Sequence, residues 1–411
     1  MRKHLFVLFS CLFVVNIGFG MTLPVLTFYT ERLALAEGVS RDGISLHVGL
    51  LTSVYAVMQL LFAPLWGRFS DRLGRRPMLL LGIGGYAVSL LTFGLASNLA
   101  LLYLARVIGG IFSAATYPAA AAYVSDRTNG EERNRGMAWL GTAASMGVVV
   151  GPALGGVLAN RNWHFRAEFG HFVADSFSIP FFAAAALAIA TLVVAVRWLP
   201  ESDSNDYVAK PTKSVGVGWL ELVRTLRPLL VLAFIGQFGL ALFEAIFVLY
   251  ANARFDFGPF EVGAIFVICG LVMALFQGIL VGYLAGRVRE SNQIVAGFTL
   301  MGLSLGLLAT TRIAGSVYFL VAFLALGMAL IAPNLSALVS KQTDQSNTGA
   351  ALGIQGMANN LGQSGGPVIG GALFVLSVGT PFLVTGGLLL ATGLIVGLRT
   401  LSSSRAETRF G

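Results

Sequence analysis

The stretch Gly147-Val-Val-Val-Gly-Pro-Ala-Leu-Gly-Gly156 returns 215 residues later as Gly362-Gln-Ser-Gly-Gly-Pro-Val-Ile-Gly-Gly371. Gly147, Gly151, Pro152, Gly155 and Gly156 fall on Gly362, Gly366, Pro367, Gly370 and Gly371. The same offset of 215 carries Gly67 onto Gly282, Arg72 onto Arg287, Pro118 onto Pro333, Ser125 onto Ser340, Thr128 onto Thr343 and Gly141 onto Gly356, without a gap. Further on the offset becomes 201, placing Pro180 and Phe181 on Pro381 and Phe382. The first copy therefore carries 14 extra residues ahead of that point. The chain is a tandem duplication.

What is duplicated follows from composition. The 411 residues are 56% hydrophobic and only 11% charged, where soluble domains carry about 25% charged residues. A hydrocarbon core about 30 Å thick needs about 20 apolar residues per helix. Twelve such runs can be read, from 5–29 to 380–400, six in each copy. In hydrocarbon, backbone polar groups must be satisfied within the helices themselves. The expected fold is an all-α membrane protein with twelve transmembrane helices in two six-helix bundles. The bundles form a parallel repeat, related by a pseudo-two-fold axis along the membrane normal. A substrate site between them near the midplane and alternating access by rocking follow from that arrangement. The expected domains are residues 1–199, a polar cytoplasmic linker at 200–226, and residues 227–411.

The net charge of +8 does not mark a nucleic-acid face, because the basic residues sit in short loops and tails. With both termini inside, twenty Lys and Arg lie on the cytoplasmic side and six outside, with Arg106 inside helix 4. That bias sets the orientation. A multi-pass protein of the cell inner membrane, with both termini cytoplasmic, is expected. The N-terminal MRKHLFVLFSCLFVVNIGFG imitates a signal peptide, but its apolar run continues to Tyr29 and reads as helix 1. Cys11 and Cys269 both lie in apolar runs and set no disulfide or metal pattern.

The loop Gly67-Arg-Phe-Ser-Asp71-Arg72-Leu-Gly74-Arg75-Arg76-Pro77 joins helices 2 and 3. Topology alone explains its arginines but not Asp71 between two glycines. This segment resembles the signature loop of the major facilitator superfamily. The resemblance implies that Asp71 faces the N-terminus of helix 11, where unpaired N–H groups and the helix dipole favour an anion. It also implies that Arg75 pairs with Asp126 at the end of helix 4. Gly67, Asp71, Arg72, Gly74, Arg75 and Asp126 would then act as a conformational switch, holding the outward-facing state shut inside. The second copy of the loop, Gly282 to Arg287, lacks the aspartate.

Leu102 to Gly110, around Arg106, resembles the family's second motif. Arg106, Gly110, Ser113 and Tyr117 share a helix face; a snorkelling arginine is the plainer reading. The Gly147–Gly156 segment resembles the motif of the drug:proton antiporter branch, although close helix packing alone also explains it. The likeness to tetracycline and multidrug exporters extends to Pro24-Val-Leu, Tyr55-Ala-Val-Met-Gln59 and Ala63-Pro64. The sequence departs from the tetracycline exporters in helix 1, which has Asn16 and no acid before Glu31; helices 3 and 9 also lack one. The resemblance therefore does not carry over tetracycline itself or that proton route.

Glu244, in Gly236-QFGLALFEAIFVL-Tyr250, is the one carboxylate placed well inside a helix. Intramembrane ionisable residues are costly and usually functional. Glu244 and Arg106 are the proton-coupling candidates; an ion pair, a carboxylate reaching outside water, or a trap for cationic substrates are the other readings of Glu244. Asn16, Gln59, Tyr117, Gln237, Gln277, Asn334, Gln355 and Asn359 are candidates for the cavity wall, although such amides often bond between helices. With few buried charges, the substrate should be a neutral or cationic amphipathic small molecule. The extra outer loop reads as an interfacial amphipathic segment; His164, Glu168 and His171 on one helix face would be a metal site only as a remote alternative.

The expected function is secondary active transport: proton-coupled efflux, by antiport, of small amphipathic compounds. The proton gradient is the energy source, no cofactor or resident metal is expected, and the chain reads as a monomer in lipid. Uptake, or translocation of a lipid or lipid-linked sugar, is the alternative within transport; a non-transporting receptor is the alternative of another class. No nucleophile–base set, HExxH or P-loop pattern supports an enzyme.

Overall fold

A computed structural model of the chain describes residues 2–128, 130–159, 166–169, 172–200, 219–284, 287–344 and 347–410. Among them run α1 (Arg2–Ala36), α2 (Arg41–Leu73), α3 (Arg75–Gly94), α4 (Leu99–Arg127), α5 (Gly130–Leu158) and α6 (Ile179–Trp198). Then follow α7 (Trp219–Phe255), α8 (Pro259–Leu284), α9 (Glu290–Thr310), α10 (Ala314–Lys341), α11 (Thr348–Leu376) and α12 (Thr380–Phe410). The helices overrun the apolar runs read from sequence. α2, for instance, starts at Arg41, where the Ser40 side chain caps Gly43 N–H.

Eleven of these helices are long and apolar enough to cross a membrane. The twelfth, α11, falls short of the twelve expected spans because it carries the amides Gln355, Asn359, Asn360 and Gln363 among many glycines. Large apolar side chains lie exposed on the helix flanks, such as Phe319 at 71% and Leu394 at 64%. A bilayer, not water, is the solvent suited to such surfaces.

One departure from the all-helical expectation lies in the extra outer loop. β1 (Arg166–Phe169) and β2 (Phe172–Asp175) pair antiparallel, Arg166 opposite Asp175. Asp175 anchors the hairpin: its carboxylate pairs with Arg32 of α1 and accepts from Phe177 N at 3.1 Å and Ser178 N at 3.2 Å, at the start of α6. Glu168 sits on β1, whereas His164 and His171 lie outside the described residues. No metal-ligating group forms among the described residues.

By packing, the chain divides into two compact units, Met1–Lys210 with Ala251–Val267, and Pro211–Tyr250 with Ile268–Gly411. In the first unit α1 packs on α5 and α6, α2 on α4, and α3 on α4 and α6. In the second, α9 packs on α10 and α12.

The glycine repeat has the same mechanical job in both units. A Cβ built on Gly151 would lie 2.6 Å from Ile17 O of α1, and one on Gly366 would lie 2.6 Å from Phe238 O of α7. Gly147 meets Phe13 O at 2.8 Å, and Gly362 meets Phe234 O at 2.5 Å. These distances exclude any side chain, so α5 and α11 touch their partners backbone to backbone. The contacts place Phe13 on Phe234 and Ile17 on Phe238, an offset of 221 for α1 on α7 that differs from the offsets elsewhere. The offset also superposes two aromatic corners. Tyr29 donates to Ala96 O at 2.8 Å and stacks on Phe181; Tyr250 donates to Leu308 O and meets Phe382 edge-on. Likewise Gly82 of α3 approaches Phe112 O of α4, and Gly297 of α9 approaches Gly327 O of α10, 215 residues on.

Candidate functional site

The loop between α2 and α3 turns at Gly74, whose φ of 96° suits glycine and few other residues. The turn delivers Arg75 to a buried position, 8% exposed. Its Nε donates to Asp126 Oδ2 of α4 at 2.9 Å, and its Nη1 to Asp71 Oδ1 at 2.5 Å and Ser70 Oγ at 3.1 Å. Three charge-assisted bonds thus tie the ends of α2, α3 and α4 around one planar guanidinium. Asp71 is largely exposed beyond this contact. Gly67 has open space around it, and Arg72 closes the last turn of α2.

The second unit carries a counterpart the sequence reading passed over. Lys341 at the end of α10 pairs with Glu290 at the start of α9. These positions are those of Asp126 and Arg75 shifted by 215, with the charges exchanged. Each pair links the start of one helix to the end of the next. The fixed offset itself was the signal that could have found it.

Within the first unit, Arg106 of α4 is 6% exposed. Its guanidinium carbon lies 5.4 Å from the ring centres of both Tyr55 and Phe93, in cation–π range. Its Nε is buried without a hydrogen-bond partner among the described residues. Gly109 and Gly110 make room: a Cβ on Gly110 would fall 2.5 Å from Tyr55 O. Gln59 Nε2 donates to Tyr55 Oη at 3.2 Å and to Ser113 Oγ at 3.0 Å. Phe19 stacks on Tyr55, their ring centres 5.7 Å apart. Arg106, Tyr55, Gln59 and Ser113 are therefore one polar cluster bounded by aromatic rings, and Tyr117 lies exposed on the same helix. Tyr55 and Phe93 as partners of Arg106 were not legible from spacing, because they come from α2 and α3.

The remaining candidates scatter. Asn16 donates to Leu12 O of its own helix, and its Cβ flanks Gly147. Gln237 has the equivalent place beside Gly362 in the second unit. Asn334 is buried and donates to Gln293 of α9 and to Leu330 O. Gln355 is buried and donates to Ser336 Oγ of α10, while its Oε1 has no partner among the described residues. Gln277 and Asn359 are half-buried.

Glu244 lies about two-thirds of the way along α7, partly buried, with no hydrogen-bond or ion-pair partner among the described residues. Phe243, Ala245, Ile246 and Phe247 around it are all buried. The buried thiol of Cys269 on α8 is within electrostatic reach of its carboxyl.

The motif at Gly147–Gly156 serves two packing faces. Gly147, Gly151 and Gly155 receive α1. Gly156 and Pro152 receive the start of α8, where a Cβ on Gly156 would meet Pro259 O at 2.7 Å and one on Gly263 would meet Pro152 O at 2.6 Å.

A sequence model described as Major Facilitator Superfamily matches residues 8–311 and 255–410. The chain belongs to the major facilitator superfamily. This superfamily member is a membrane transporter and not an enzyme. It is 31% identical over 406 residues to "Multidrug resistance protein 2" of Bacillus subtilis (strain 168), covering 97% of this chain and 94% of that protein. It is 32% identical over 388 residues to "Tetracycline resistance protein, class D" of Salmonella ordonez, covering 92% and 93%. Among solved structures, a D-xylose–proton symporter superposes with a TM-score of 0.75 at 16% identity, covering 95% of this chain and 96% of that one. That last likeness speaks for the fold alone.

Proposed function

We propose that this transporter exports small amphipathic compounds in exchange for protons, by alternating access. The observation that carries the export reading is the full-length likeness to a multidrug resistance protein at 31% identity. The alignment covers 97% of this chain and 94% of that protein. The coupling reading rests on Glu244, a carboxyl within an apolar span that has no partner among the described residues. Such a group can exchange a proton for a cationic or dipolar substrate without first breaking an ion pair.

In this reading Arg106, Tyr55, Gln59 and Ser113 form part of the substrate wall, with aromatic faces suited to planar or cationic compounds. Arg75, Asp71 and Asp126 brace the cytoplasmic ends of α2–α4 during the exchange. The protein works as a monomer in the inner membrane with both termini in the cytoplasm, and residues 1–199 and 227–411 move as two bundles. The positive-inside bias supports the cytoplasmic termini, and the internal repeat supports the two bundles.

The test uses inside-out vesicles, with an ethidium-type dye and an imposed pH gradient. Proton release on dye addition in wild type, lost in Glu244→Gln, is the expected result. Wild type without dye-linked proton flux would overturn drug antiport and turn attention to lipids and sugars.

A further inference from the structure

A cavity of about 550 Å³ opens within the second unit, between the first part of α7 and the middle of α12. It lies well along α7 from Glu244 and shares no residue with the polar clusters described above. Its walls are Val231 and Ile235 of α7 and Ile395 and Val396 of α12. Arg227 and Arg399 stand together at one end of it. The two helices run in opposite directions here. The first part of α7 and the middle of α12 therefore bring their arginines to the same level, while Ile235 lies about 12 Å further along.

Both walls belong to membrane-crossing segments, Leu220–Phe255 and Thr380–Thr400. Val231 and Ile395 are about half exposed, at 48% and 54%, so the groove opens outward rather than into the packed interior. What fills an apolar groove that opens on the bilayer comes from the bilayer. Two guanidinium groups at its mouth favour an occupant that carries negative charge at one end. Guanidinium forks match phosphate oxygens two at a time, and juxtamembrane arginines favour anionic headgroups.

We propose that this groove is a binding site for an anionic phospholipid, with the phosphate between Arg227 and Arg399 and an acyl chain along Val231, Ile235, Ile395 and Val396. A zwitterionic lipid of equal chain length binds it more weakly, because its ammonium group opposes the two arginines. The site is independent of the transported compound and of the direction of transport.

The test is lipid retention by the purified full-length protein in mild detergent, read by native mass spectrometry. Phosphatidylglycerol and phosphatidylethanolamine of identical chains are supplied in equal amounts. Wild type should keep one phosphatidylglycerol with a preference of about tenfold, and Arg227→Gln/Arg399→Gln should bring that preference close to parity. Arg312→Gln, which removes a charge in the turn between α9 and α10, should leave it unchanged. Val231→Trp keeps both arginines and fills the groove, so it should lower retention even if the double variant folds poorly. Equal preference in wild type and the double variant would overturn the proposal. So would loss of preference in Arg312→Gln to the same degree, which would mean that net charge alone attracts the lipid. A stable wild-type dimer that holds no lipid, with monomer regained in Val231→Trp, would assign the groove to a second copy and equally overturn it.

Discussion

Glu290 and Lys341 form an ion pair on the positions that Arg75 and Asp126 hold 215 residues earlier, with acid and base exchanged. Each pair fastens the start of one helix to the end of the next, yet the surroundings differ. The Arg75 side chain is 9% exposed, whereas that of Lys341 is 64% exposed. Exposed pairs contribute little, about 0–1 kcal/mol. Removing one partner of a largely buried charge leaves the other short of bonds and costs about 1–3 kcal/mol. Asp126→Asn should therefore lower the melting temperature clearly more than Lys341→Gln does. Equal shifts would show that burial does not set the difference.

The glycine faces make a matched prediction. Gly151→Leu and Gly366→Leu force side chains into carbonyl oxygens at 2.6 Å in both cases. Overpacking of this kind costs about 1–3 kcal/mol, and abundance and melting temperature should fall alike for the two variants. Gly141 and Gly356, also related by 215, have nothing within 4 Å. Alanine at either should be neutral or stabilising by up to about 1 kcal/mol, because it lowers the entropy cost of the helix.

Arg106 should not tolerate lysine. Its planar guanidinium lies over two rings, a geometry that an ammonium does not reproduce. Arg106→Lys should lose most dye transport while expression stays normal. Transport equal to wild type would reduce Arg106 to a packing residue.

Glu244 should react with an apolar carbodiimide, which attacks the protonated carboxyl. Labelling should rise as pH falls, since acid fills the carboxyl with its proton. It should also drop when a transported dye is present and disappear in Glu244→Gln. Labelling that ignores the dye would separate Glu244 from the substrate path.

Tyr55→Phe should keep the ring beneath Arg106 but remove one of the two acceptors of Gln59 Nε2. A single such bond is worth about 0.5–1.5 kcal/mol. A small loss of stability with a larger shift in dye affinity is expected, measured by thermal melting and by a dye-binding titration.

The sequence alone determined the solvent, the duplication and the main offsets, because apolar runs and glycine–proline pairs are conspicuous and local. It also pointed to the Arg75–Asp126 pairing, through a family resemblance. Three features were decided only by tertiary structure. The offset of 221 between α1 and α7 was hidden, since a close helix contact needs glycine on one side and only backbone on the other. α5 and α11 supply most of the glycines, while α1 and α7 supply mainly carbonyls, which any residue provides; Gly20 of α1, packed on Gly151, has Ala241 at the matching place in α7. The Glu290–Lys341 pair was hidden because exchanging the charges looks like two mismatches in sequence, whereas the attraction is unchanged by the exchange. The hairpin Arg166–Asp175 was hidden because its hold is long-range: Asp175 is fixed by Arg32, far away in the chain and adjacent only once α1 and α6 have packed.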